Sequence, residues 1–111
     1  MIYKIFRQTE WDAFRAAGQT RGAPIDIADG FIHFSTATQL RGTLDKHFAG
    51  VAELWLAALA AESLGDALKW EVSRGGALFP HLYRPLALDE IRWCRPIPLG
   101  RSGHELPDNL A

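Results

Sequence analysis

The sequence predicts an α+β fold, a small domain of split or mixed β-sheet with two N-terminal helices. Three observations predict it. Two strand-then-helix patterns open the chain, and the second half then runs strand after strand. The connections between the later strands are too short to carry crossover helices, which excludes a doubly wound parallel sheet. One domain is expected over residues 1–111, with a core over 1–99 and a tail over 100–111.

The elements follow in order. Ile2 to Arg7 is rich in β-branched and aromatic residues and reads as an opening strand. Thr9 then offers a cap, with Asp12 three residues on, and Trp11, Phe14 and Ala17 fall on one helical face up to Gly18. Gln19 to Ala28, with Gly22, Pro24 and Asp26, reads as an irregular loop, and Asp29-Gly30 as a turn. Phe31 to Ser35 is a short strand. Thr36-x-x-Gln39 is a capping box for a second helix packing through Leu40, Leu44 and Phe48 and ending at Gly50. Glu53 to Ala60 is nearly all apolar, as a strand covered on both faces would be. Leu68 to Val72 alternates and reads as another strand, with Gly75-Gly76 a turn beyond it. Phe79 to Leu86 is held extended by Pro80 and Pro85. Ile91 to Leu99 must be an edge strand, because Pro96 and Pro98 cannot donate to a ladder. Period and helical spacing place Ile32, Phe34, Leu44, Leu54, Leu56 and Trp70 in the core.

Composition narrows the function. A net charge of −1 with no basic tract argues against a polynucleotide partner or an anionic membrane surface. The opening residues read as a strand, not a signal peptide, and the longest apolar stretch, Leu54 to Ala61, is far short of a membrane span. A single cysteine, Cys94, excludes an internal disulfide and reads as a small hydrophobe. These features point to the cytoplasm. No partner protein is indicated. No GxGxxG, P-loop, GxSxG or HExxH pattern occurs. The histidines lack ligand spacing, so no bound metal is expected. His47 and His104 read as structural and solvated, respectively.

Chemistry-bearing residues concentrate in three stretches. In Phe31 to Thr36, strand alternation turns Ile32 and Phe34 to the core and sets His33 and Ser35 together on the other face. Ser35, Thr36 and the amides of the following helix start make that corner rich in donors, suited to an anion. The plainer reading is a helix cap with His33 bonded to a backbone carbonyl. In Phe79 to Leu86, His81 and Tyr83 share a face of a segment that prolines hold rigid. Glu71 breaks an apolar strand and is either solvated or part of a site. His33, Ser35, His81 and Tyr83 are expected to line one cleft for a small nucleotide-like or anionic ligand. A His33–His81 separation beyond about 12 Å would exclude one ligand touching both.

Asp29 to Thr36, Leu68 to Glu71 and Phe79 to Tyr83 together resemble the hallmark segments of the bacterial domain of unknown function 952 family. The likeness runs from the first strand to about Leu99, with Arg84 where the family often has Gly. The resemblance implies an ADP-ribosyltransferase-like fold, a split pair of sheets whose cleft holds NAD in its enzymes. It implies that His33 and Ser35 meet the nicotinamide ribose and amide. Tyr83 would stack, Glu71 would polarise the ribose, and Arg84 would sit at the rim. His33 and Glu71 are then the candidate catalytic pair of an ADP-ribosyl- or RNA-phosphate-transferring enzyme using NAD. Ser35, Thr36, His81, Tyr83 and Arg84 are the candidate ligand-binding residues.

Overall fold

The computed structural model describes residues 1–110. Strand β1 (Ile2–Arg7) leads into helix α1 (Gln8–Ala17), followed by the short strand β2 (Gln19–Thr20) and helix α2 (Pro24–Asp29). Strand β3 (Ile32–His33) runs through a 3-10 turn, Ala37–Gln39, into helix α3 (Leu40–His47). Then come β4 (Leu54–Leu59), β5 (Leu68–Val72), β6 (Leu78–Leu82), β7 (Leu86–Ala87), β8 (Trp93–Ile97), β9 (Leu99–Gly100) and β10 (Gly103–His104).

Two three-stranded sheets carry the architecture, in the orders β1-β4-β8 and β3-β6-β5, and all their pairings are antiparallel. They touch at one bridge, where Tyr3 and Ser35 exchange N–H to O bonds of 2.8 and 2.9 Å. Beyond that bridge β1 and β3 part. β8 lies at an edge, a place that tolerates Pro96 with no N–H to donate.

Alternation along β1 and β4 divides the core in two. Ile2, Phe6, Ala57 and Leu59 pack with Trp11, Phe14, Ile32, Phe34 and Leu82 on one side. Tyr3, Ile5, Leu54, Leu56 and Ala58 pack with Leu40 and Leu44 on the other. Burying each large aliphatic side chain contributes about 1.5–3 kcal/mol. Lys4 falls on the Ile2–Phe6 side of β1 yet is buried at 7% exposure, so it needs a partner inside the fold.

Four starts of helical segments use one device, an N3 side chain accepting the N–H of the capping residue. Glu10 takes Arg7 N–H, Asp26 takes Ala23 N–H, Gln39 takes Thr36 N–H and Glu90 takes Ala87 N–H. The first helix therefore starts before Thr9, and Asp12 bonds Gln8 and Arg15 instead.

Several expectations are corrected. Among the described residues there are three α-helices, not two, because the expected loop Gln19 to Ala28 contains β2 and most of α2. Pro24 at the first helical turn and Asp26 at its N3 position start a helix. Trp70 is 46% exposed, not buried; it shares a face with Leu68, but β5 runs out past the core. The expected tail packs on the domain. Leu106 and Leu110 lie against the second core cluster, and Ala111 lies outside the described residues. His104 is buried, not solvated, with Nε2 2.7 Å from Val51 O.

Candidate functional site

Residues directly opposed across a sheet share a face, so the β3-β6-β5 register assembles the site. His33 stands opposite His81, His81 opposite Lys69, and Phe79 opposite Glu71. The facing expected from alternation holds: Ile32 and Phe34 are each 2% exposed in the core, and the His33 and His81 rings lie 5.3 Å apart.

His81 is the most buried of these polar groups, at 4% exposure. Its Nδ1 lies 2.8 Å from Glu71 Oε1, and Tyr83 donates its hydroxyl to the same oxygen at 2.6 Å. Those two hydrogen bonds, Tyr83's first, hold the Glu71 carboxyl below its usual range, and the same contact pushes the Tyr83 phenol up. An ionised carboxylate only accepts, so Nδ1 carries the proton, and in the neutral ring Nε2 presents a lone pair. Nε2 is buried and has no hydrogen-bond partner among the described residues. Phe31 stacks on the His81 ring at 4.1 Å and also touches His33 and Tyr83, at 4.6 and 5.2 Å.

His33 is held between two carboxylates. Its Nδ1 lies 2.5 Å from Asp26 Oδ1, and its Nε2 lies 3.0 Å from Asp29 Oδ2. Asp26 is fully buried and also accepts from Lys4 Nζ at 2.7 Å, Ala23 N–H at 2.7 Å and His33 N–H at 3.1 Å. Burial alone would raise its pKa. The hydrogen bond to His33 and the charge and hydrogen bond of Lys4 outweigh that and hold it at about 2. Gly22, at φ +96°, makes room for this carboxylate, because a Cβ there would overlap the Asp26 side chain.

A groove of about 690 Å³ opens where β1 and β3 part, between α2 and α3. Lys4, Asp26, His33, Ser35 and His81 line its wall, Phe48 and Phe79 its apolar side, and Arg7, Lys46 and His47 its rim. Glu71 and Tyr83, which hold the Nδ1 edge of His81, are not on that wall.

The sequence-expected residues thus separate. His33 and His81 meet at the groove, with Ser35 on the same wall, where its Oγ lies 2.8 Å from Thr43 Oγ1. Glu71 and Tyr83 join them from behind, so Tyr83 supports the cleft and does not line it. Thr36 caps the turn before α3 and bonds Thr38, away from the groove. Arg84 is committed to Glu90 through two bonds of 2.9 and 2.7 Å and to the carbonyls of Pro85 and Leu64. Sequence reasoning missed Lys4, Asp26, Asp29 and Phe31. The available signals were a lysine inside an apolar strand and an acid two residues after a helix-starting proline.

Comparison with known proteins places the chain in a family. The family described as Protein of unknown function (DUF952) matches over residues 5–94. The crystal structure of CC0527 from Caulobacter crescentus is 50% identical, with a TM-score of 0.89 over 93% of this chain and 90% of that one. A crystal structure of a double mutant of CC0527 gives 0.88, and its solution NMR structure 0.83, at the same identity. No curated protein matches the chain. With four-fifths of its length under the family match and half its residues shared with CC0527, the chain belongs to the DUF952 family.

Proposed function

We propose that this chain binds a small anionic, nucleotide-like ligand in the groove between β1 and β3. The observation that carries the reading is His81, a residue of the groove wall whose buried Nε2 has no partner among the described residues. Leaving such a group unmet costs roughly 1–3 kcal/mol, which a ligand hydroxyl removes by donating to it. Arg7, Lys46 and His47 on the rim favour a phosphate, and Phe48 and Phe79 offer an apolar wall to a flat ring. The volume suits one nucleotide-sized molecule, and the net charge of −1 speaks against a polynucleotide. No described helix is long and apolar enough to cross a membrane, and with the lone cysteine that supports work in the cytoplasm.

One observation favours a second reading, group transfer at a ribose or phosphate with NAD as donor. A carboxylate-held imidazole with a free Nε2, beside a second imidazole at 5.3 Å, is an arrangement for general acid–base work. Glu71 then acts through His81 as a positioning residue. Two sheets parting around a groove support the ADP-ribosyltransferase-like grouping.

The test is thermal unfolding with ADP-ribose, NAD, AMP and inorganic phosphate. A compound at a hundred times its dissociation constant adds about 2.7 kcal/mol, a rise in Tm of roughly 12 °C for this length. His81→Ala, compared with its own ligand-free melting, should lose that rise. No rise with any of the four in the wild-type protein overturns the binding reading. NAD consumed with release of nicotinamide selects the second reading; NAD bound and left intact rejects it.

A further inference from the structure

We infer that two copies of this chain pair edge to edge through β5, as a two-fold dimer. β5 is the outer strand of β3-β6-β5, and among the described residues no strand covers its free side. Ser73 N–H bonds Ala77 O at 2.9 Å and Tyr83 N–H bonds Ala67 O at 2.8 Å. In this antiparallel pair the odd-numbered residues of β5 therefore aim their backbone groups at β6, and the even-numbered ones aim away. Pro80, with no N–H to give, stands opposite Trp70, where none is needed. Leu68, Trp70 and Val72 thus hold their N–H and C=O groups at an open edge.

The strand is self-complementary. An antiparallel copy centred on Trp70 sets Trp70 against Trp70, Leu68 against Val72, and Lys69 against Glu71 twice over. All three outward residues then enter the ladder, for about six hydrogen bonds between the copies. Centring the pairing on Lys69 or Glu71 instead puts like charges face to face, so charge selects the Trp70 register. Apolar exposure follows the same edge: Trp70 is 46%, Val72 70% and Leu78 51% exposed, on one face. Pairing covers Trp70 and Val72 of both copies in one isologous contact. It also brings Lys69 of one copy beside Glu71 of the other, the carboxylate that holds His81 and Tyr83.

Sedimentation equilibrium of the full chain tests this. The expected result is a concentration-dependent rise from one chain mass to two. Val72→Pro removes an outward N–H without touching the β5–β6 ladder and should weaken pairing at least tenfold, about 1.4 kcal/mol. Trp70→Lys, at an exposed side chain, should do the same and carries the test if the proline variant fails to fold. One chain mass up to about 1 mM in the wild-type protein, or a dimer that neither variant weakens, overturns the proposal.

Discussion

Replacing Asp26 with Asn perturbs the buried network beneath the groove. The Asp26 carboxylate accepts from Lys4 Nζ, Ala23 N–H, His33 N–H and His33 Nδ1, all within 3.1 Å. Asn keeps the shape but removes the charge, leaving Lys4 as an unpaired cation at 7% exposure. Removing one partner of a buried pair costs about 3–5 kcal/mol. A chain of 111 residues at about 2.1 cal/mol/K each has a melting entropy near 230 cal/mol/K. Each kcal/mol then moves Tm by about 4 °C, so Asp26→Asn should lower it by roughly 13–21 °C. Lys4→Met leaves Asp26 bonded to His33 and Ala23 and should cost less, about 1–3 kcal/mol. With both charges gone, the double variant should fall short of the summed losses by about 2 kcal/mol. Urea unfolding of all four proteins by circular dichroism measures the cycle. Losses that add within about 0.5 kcal/mol would show that the ion pair is not coupled and refute the reasoning.

Other consequences are open to direct measurement. Asp26 is held at about 2 against an ordinary 3.8, a depressed acid. Its contribution, about 2 kcal/mol, is therefore present above about pH 4 and disappears as pH falls toward about 2. Urea unfolding of the wild type near each of these pH values should show that loss, and Asp26→Asn should lack it. The Tyr83 phenol is raised by its bond to Glu71. Glu71→Gln should make it ionise at lower pH in an ultraviolet titration, and an unchanged curve would deny that bond. Burial pushes the Cys94 thiol up to about 12, so a disulfide reagent at neutral pH should label it slowly in the folded protein and quickly in denaturant. Equal rates would contradict that burial.

The parts of the fold legible in the sequence were those where one period governs. Ile32 and Phe34 could be assigned to the core because a half-buried strand has a strict period of two, and that assignment placed His33 and His81 on a common face. Pro96 and Pro98 located the edge strand because a missing donor has a single remedy. Period alone misplaced Trp70, since alternation says which side a residue faces and not whether anything covers that side. Gly22, Pro24 and Asp26 looked like a loop because each disfavours a helix interior, yet Pro and Asp are also what a helix start requires. The Lys4–Asp26 pair spans β1 and α2, and no local pattern reports a partner 22 residues away. His104 stayed hidden for the same reason, since its acceptor is Val51 O on a distant segment.

The proposed ligand site turns on the His81 ring, and nitrogen NMR of its imidazole tests that site. Glu71 should keep the proton on Nδ1, so the ligand-free protein should show an unprotonated Nε2. Adding ADP-ribose to saturation should shift Nε2 of His81 and perturb the His33 ring, leaving the Arg84 guanidinium unchanged. A proton resident on Nε2 in the free protein, or a His81 ring indifferent to ADP-ribose, would contradict the reading of this groove as a ligand site.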